Sequence, residues 1–373
     1  MKPTYLLFGI CLVFCFTACK PDFDLNGPYK DITIVYGILN YEDSIHYVKI
    51  YKGFQSHKKG GVFVDAQNPD SIYYYDHKTQ TSLITVVLQE FNKEKRTPRK
   101  DIPLEPLYIK NIPEKEFPDG REPGFFYSGD KSIIYRTKET LSKNYSYKIV
   151  IKHNITGKIT EGITPILGNG TDGNHFEVYK LSPTSMLNGK ASVTFYAAEH
   201  AEDYEFHVNF LYFEVNNNTK EVTNHKIVKN ICPTVGEKWN LTPSGYFLKE
   251  FSKTFYDDIA KQVKPNPDVT RYMGYLGEDG KPSNGSCIEV EGWAAGESVI
   301  KYLLSNQPTS SFIQINTIYT NLTSSEGLAF GFFSSQAKTP VRTFTSDAAS
   351  QDTLIMGYKT YRLGFRPWTE YKP

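Results

Sequence analysis

The chain has little sulfur, no excess of either charge and no long apolar run after its first residues. Its 373 residues include 42 Lys and Arg against 41 Asp and Glu, without a basic tract. Because nucleic-acid binding needs a concentrated positive surface, a nucleic-acid partner is not expected. Beyond the N-terminus, no segment holds the roughly 20 apolar residues of a membrane-spanning helix. The length is enough for two domains of ordinary size.

The usual signatures of catalysis are also missing. The sequence contains no HExxH motif, no P-loop, no dinucleotide-binding glycine pattern and no GxSxG elbow. Its eight histidines do not pair at metal-ligand spacing within a helix. We therefore predict a protein that is not an enzyme and has no catalytic residues, metal site or cofactor. A glycan-cleaving enzyme is an alternative, since its two carboxylates need only meet in space, about 5 to 9.5 Å apart.

The first nineteen residues have the layout of an exported lipoprotein. Lys2 precedes an apolar run over residues 5–16, about 12 residues long and thus shorter than a membrane span. The segment 16–19, Phe-Thr-Ala-Cys, resembles the lipobox of bacterial lipoproteins, in which the chain is cut before the cysteine and the cysteine is acylated. We predict a signal peptide over residues 1–18 and lipidation of Cys19.

A short polar tether over residues 19–28 follows the predicted lipid site. Lys20, Asp22 and Asp24 resemble the charged signals that direct some Bacteroidota lipoproteins to the outer face of the outer membrane. A solvated spacer without any address would be charged as well. The prediction is a lipid-anchored protein of the outer membrane that is exposed at the cell surface.

Cysteine use agrees with export. Cys11 and Cys15 would leave with the signal peptide. In addition to the lipidated Cys19, the mature chain would then contain Cys232 and Cys287. In an oxidising compartment these two can form a disulfide. The alternative is a pair of buried free thiols.

The abundance of aromatic residues, 27 Tyr and 24 Phe, favours β-sheet. Seven or eight candidate strands, among them 32–39, 71–75 and a hairpin over 145–164, predict an immunoglobulin- or fibronectin-like β-sandwich over residues 29–167. The prolines between 92 and 131 predict long loops and an edge strand.

The glycine-rich segment 168–174 predicts a linker to a second domain over residues 175–373. Strand candidates 204–215 and 358–365 lie in this region, and apolar spacing predicts one helix over 245–263. The predicted fold is mainly β, with two β-sandwich-like domains, the second carrying one packed helix.

Two polar groups in the second region are the candidate sites. On a strand, Asp203, Glu205 and His207 share one face and could hold a metal. Glu289 and Glu291 share one face of a later strand and are the candidate carboxylate pair for glycoside hydrolysis. The solvent side of an amphipathic strand has the same composition. That structural interpretation is preferred, and the ligand-binding residues are left unassigned.

Three segments with the order Asp, hydroxyl, apolar resemble the O-glycosylation signal of exported Bacteroidota proteins. They predict modification of Ser44, Ser71 and Thr353. The alternative at each is a turn residue that enters a strand.

Several segments together resemble a family of Bacteroidota lipoproteins of unknown function. These are 35–40 and 46–50 near the start, and 318–322 and 326–333 near the end. In that family the late segments read Tyr-Thr-Asn and Gly-Leu-Gly-Ile-Phe, whereas Ala329 and Phe330 stand here in place of Gly-Ile. The resemblance implies β-rich extracellular domains and frequent association with TonB-linked outer-membrane receptors. It carries over no catalytic residue.

These observations predict a cell-surface lipoprotein that acts as a non-catalytic binding module. Its expected partners are the membrane, through the N-terminal lipid, and an outer-membrane receptor protein or a glycan. The predicted role is that of an accessory to a TonB-linked nutrient receptor. The alternatives are an adhesin-like or fimbria-associated surface protein and the glycan-cleaving enzyme.

Overall fold

The computed structural model describes residues 31–53, 68–92, 97–111, 131–170, 175–182, 192–231, 246–247, 255–283, 285–306 and 319–372. It is mainly β with few helices, which confirms the predicted fold class. The predicted signal peptide, Cys19 and the tether lie outside the described residues. Within the described ranges, none of the helices has the length and apolar character that crossing a bilayer requires.

The strands of the N-terminal half are β1 (Thr33–Leu39), β2 (His46–Lys52), β3 (Tyr75–Asp76), β4 (Thr81–Ser82), β5 (Ile84–Asn92), β6 (Lys100–Tyr108), β7 (Ile133–Thr137), β8 (Tyr145–His153) and β9 (Ile159–Pro165). Those that follow are β10 (Glu177–Ser182), β11 (Ser192–Tyr196), β12 (Ala201–Asn216), β13 (Val222–Ile231), β14 (Tyr246–Phe247), β15 (Val269–Met273), β16 (Ser286–Gly296), β17 (Leu322–Ser324), β18 (Ala329–Lys338), β19 (Arg342–Thr345) and β20 (Phe365–Arg366). The α-helices are α1 (Pro69–Ile72), α2 (Phe255–Gln262), α3 (Glu297–Ser305) and α4 (Ala348–Met356).

One hydrogen-bonded sheet runs through both halves of the described chain. Its strand order is β17-β9-β8-β5-β6-β7-β2-β1-β18-β16-β12-β15-β20, with β13 beside β12 and β19 beside β16. The N-terminal part of β18 pairs in parallel with β1, and its C-terminal part pairs antiparallel with β16. A single strand therefore joins two parts of this path, here called the first sheet, from β17 to β1 and the N-terminal part of β18, and the second sheet, from the C-terminal part of β18 to β20.

Buried apolar residues form two large clusters. The first lies among β1, β2 and β5–β9, where alternating positions such as Val35, Val48 and Leu88 are fully buried. The second lies between strands β12, β13, β15 and β16 on one side and the three-stranded sheet β10-β11-β14 on the other. Phe255 and Ile259 of α2 also belong to it. The period-two pattern of the strands thus fills one core in each half of the chain.

Phe333 of β18 occupies the first cluster between two glycines. It is registered with Gly37 of β1, and a Cβ atom at Gly37 would lie 2.8 Å from its ring. A Cβ at Gly162 of β9 would lie 3.2 Å from the Phe333 Cβ atom. Asn321 fixes the backbone of Phe333 from one side, because its amide donates to Phe333 O at 2.7 Å and accepts from Phe333 N at 3.0 Å.

The region after the predicted linker is not separate from the first half. β17 pairs with β9 and β18 pairs with β1, so the C-terminal region supplies two strands to the first sheet. Leu167 is fully buried in the second cluster, and residues 171–174 lie outside the described residues. The division into two sandwiches at 168–174 stays a prediction.

Several local predictions were wrong. Residues 71–75 begin in helix α1 instead of a strand, because Pro69 follows Asn68, whose side chain accepts from Asp70 N. The predicted helix 245–263 is shorter: residues 246–247 pair with β11 as strand β14, and α2 begins at Phe255.

The last predicted strand, 358–365, is mostly a 3-10 turn over Tyr361–Leu363, and left-handed Gly364 follows it. The expected edge strand is β6, which pairs with β5 and then with β7. The residues up to Leu104 pair with β5, and those after it pair with β7. Pro103 and Pro106 each therefore have a paired strand on one side only, as prolines of an edge strand do. The predicted hairpin is confirmed as β8 and β9.

The closest backbone approach involves Gly331, whose φ is +88°. A Cβ atom there would lie 2.0 Å from Val35 O of the paired strand. We expect Gly331→Ala to lower the free energy of unfolding by about 3 kcal/mol or more, from strain and steric overlap together. Urea denaturation of the soluble mature chain measures this change.

Gly157→Ala is the matched control for that substitution. Gly157 also has a positive φ, +75°, but no atom lies within 4 Å of the added Cβ. It should lose only about 1 kcal/mol, the cost of a left-handed alanine. Equal losses at the two glycines would contradict the close approach of β18 to β1.

Candidate binding site on the polar face of the second sheet

The register of β12 and β16 brings the two predicted polar groups together. Glu205, His207 and Asn209 of β12 lie opposite Trp293, Glu291 and Glu289 of β16, in that order. Opposed residues of an antiparallel pair share a face, so these six side chains form one group, here called the polar row. The intervening residues, such as Phe206 and Val290, point into the second core.

Each carboxylate of the polar row contacts a cation or an imidazole. Glu291 pairs with Lys338 of β18, and Glu289 pairs with Lys226 of β13. The Asn209 amide also donates to Glu289 Oε1 at 2.7 Å. Glu205 Oε1 lies 2.9 Å from His207 Nε2 at the more exposed end of the row. Two carboxylates of the row are thus paired with lysines, and the third contacts an imidazole.

Trp293 lies at the centre of the exposed end. Its ring is 5.1 Å from the Lys338 ammonium and 6.2 Å from the His207 ring. The cation–π contact orients Lys338 toward Glu291 as well as toward the indole. Trp293 lies on the same face of β16 as Glu289 and Glu291, because residues two apart along a strand share a face.

Two buried polar atoms in the row have no hydrogen-bond partner: the indole Nε1 of Trp293 and the amide Oδ1 of Asn209. Asn209 is 1% exposed. A buried donor or acceptor without a partner is costly, and such groups in folded proteins are usually satisfied by water or by a ligand. The row thus offers one unused donor and one unused acceptor beside its paired charges.

The predicted site residues have partners of their own within the sheet. Glu289 and Glu291 are held by different lysines. Asp203 accepts from the Tyr204 backbone N–H at 2.8 Å. Among the described residues, no three His, Cys, Asp or Glu side chains are placed to hold a metal ion.

The other predicted site residues are dispersed. Ser44 is exposed in the turn before β2, Ser71 is half-buried in α1, and Thr353 lies in α4, where its hydroxyl donates to Ala349 O at 2.9 Å. Their glycosylation stays a prediction. Cys287 is a free, fully buried thiol, and Cys232 lies outside the described residues, so their bond stays a prediction as well.

Sequence reasoning missed the two lysines of the row. Lys226 and Lys338 lie on β13 and β18, which are far from β16 in sequence, and their partners depend on strand order. No model of a known protein family matches the chain, and no curated protein matches it.

The Lys338–Glu291 pair can be tested by a double-mutant cycle. Glu291 has a side chain that is 11% exposed, so Lys338→Ala leaves a nearly buried carboxylate without its cation. We expect a loss of about 2 kcal/mol in the free energy of unfolding, between the values of exposed and fully buried pairs. The loss should be much smaller in a Glu291→Gln background.

Lys301→Ala is the control for that cycle, because Lys301 forms an exposed pair with Glu297 on α3. It should leave the unfolding midpoint in urea close to that of the unmodified chain. If Lys338→Ala costs the same with Glu291 or Gln at position 291, the two side chains do not interact.

Cys287 gives a prediction about thiol chemistry. Burial raises the pKa of its thiol to about 11, so the reactive thiolate is scarce at pH 8. The native protein should resist alkylation at Cys287, and denaturation without a reductant should expose it to labelling. Peptide mass spectrometry measures the labelled fraction. Labelling that requires a reductant would instead show the disulfide to Cys232.

Proposed function

We propose that this protein is a lipid-anchored cell-surface protein that acts as a non-catalytic binding module, an accessory to a TonB-linked nutrient receptor of the outer membrane. The anchoring part rests on segment 16–19, which resembles a lipobox, and on the charged tether 19–28. The receptor part rests on the family resemblance of segments 35–40, 46–50, 318–322 and 326–333.

The polar row is the observation that carries the binding role. Its charges lie on one face of a continuous sheet, already paired and fixed by backbone register. A preorganised set of charges gives specificity to a protein interface at little cost of rearrangement. Glu205 and His207, at the exposed end, are the groups that a partner reaches first.

An affinity isolation tests this proposal directly. The tagged, lipidated protein is recovered from gently solubilised outer membranes of its own host, and Cys19→Ala serves as the control that should lose anchoring. We expect a receptor protein in stoichiometric amount. A membrane-bound protein without such a partner would contradict the accessory role. Binding to host cells or matrix would then support the adhesin-like alternative.

A charge exchange tests whether the polar row contacts the partner. Glu205→Lys combined with His207→Glu puts a cation in place of the carboxylate and a carboxylate in place of the imidazole, and should reduce recovery of the receptor about tenfold. The matched control exchanges Glu297 and Lys301, an exposed pair on α3. Equal recovery with both exchanges would place the contact elsewhere on the protein.

A further inference from the structure

A small pocket lies between α2 and α4, remote in sequence from the polar row. Tyr256 and Asp257 of α2, Thr353 of α4, and Tyr358 and Thr360 of the following loop contribute to its lining. Its volume is about 170 Å³. Pockets for drug-sized molecules begin near about 300 Å³, so this one suits a single small ring.

One lining residue of this pocket, Tyr358, and two residues close to it in sequence are exposed apolar or aromatic side chains. Tyr358 is 82% exposed and Met356 is 70% exposed, and Tyr361 nearby is half-exposed. Adjacent exposed aromatic and apolar side chains often mark a binding site. The ring of Tyr358 is therefore available as a stacking surface at the mouth of the pocket.

The walls are fixed before any ligand arrives. The Tyr256 hydroxyl donates to Ser350 O at 3.1 Å, which ties α2 to α4. Thr360 is 1% exposed, and its hydroxyl donates to Thr353 O at 3.0 Å, which ties the loop to α4. A preformed pocket loses little conformational entropy when it is filled.

The pocket contains charge but carries no net charge from its own lining. Lys359 pairs with Asp257, and its ammonium lies 5.5 Å from the Tyr358 ring. A free anion would have to compete with Asp257, and a free cation with Lys359. The pair instead presents an acceptor and a donor side by side, which suits neighbouring hydroxyl groups.

We propose that this pocket binds one neutral pyranose ring of a saccharide. The apolar C–H face of the sugar would stack on Tyr358, and two adjacent hydroxyls would bond to Asp257 and Lys359. The saccharide can be part of an external glycan or a glycan attached to Thr353, whose side chain lines the same pocket. The proposal does not depend on the receptor role proposed above.

The test is calorimetric titration of the full-length protein, produced in a host without O-glycosylation so that the pocket is open, in a detergent without a sugar headgroup. The probes are the methyl pyranosides of glucose, galactose, mannose and N-acetylglucosamine, with inorganic phosphate as the anionic probe. We expect at least one sugar to bind with a Kd of about 1 mM and phosphate not to bind. Binding of phosphate alone, or of no probe, would overturn the proposal.

Variants then locate the bound sugar. Tyr358→Ala should weaken binding about tenfold through loss of stacking, and Asp257→Asn should weaken it through loss of an acceptor. Tyr275→Ala removes a half-exposed tyrosine elsewhere, and Glu370→Gln breaks an exposed pair with Arg366. Both controls should leave the Kd unchanged, and equal weakening in all four variants would overturn the proposal.

The source of the sugar is decided by comparing hosts. The protein from its own host and the protein from a host without O-glycosylation are analysed by intact mass and titrated side by side. A glycan at Thr353 that blocks added sugar, with Thr353→Val restoring binding, identifies the attached glycan as the occupant. Equal binding by both preparations identifies an external saccharide.

Discussion

The structure depends on the shared position of β18. One half of this strand completes the first sheet beside β1, and the other half begins the second sheet beside β16. Both of its faces are largely buried, and small side chains occupy the point of transition: Ser335 is fully buried and donates to Pro165 O at 2.6 Å. Bulky residues at that point would separate the two cores.

The candidate binding site inherits its geometry from the same strand. Lys338 is the last residue of β18, and its register with Trp293 places the ammonium beside Glu291. Helix α3 follows β16 directly and packs on β18, where Tyr302 contacts Phe332 and its hydroxyl lies 3.1 Å from that of Tyr36. Strand β18 thus contributes both to the electrostatics of the polar row and to the packing of the first sheet.

The sequence was informative where the physical signal is local. Period-two alternation predicted the hairpin of β8 and β9 and the shared face of Glu289 and Glu291, because side chains alternate in every strand. Strand order was out of reach, since the pairing of β1 with β18 and of Lys338 with Glu291 depends on segments distant in the chain. The predicted start of the helix at residue 245 was wrong, because apolar spacing does not reveal that residues 246–247 pair as a strand with β11.

The pairing of β1 with β18 also determines when the first sheet can be completed during synthesis of the chain. Thr33 is registered with Ala329, about 300 residues later, so the first sheet stays incomplete until residues 329–335 have been synthesised. During that interval β1 has an open edge that can pair with other chains. A truncated product that ends before residue 329 would keep this edge permanently. Its hazard would therefore be aggregation rather than partial function.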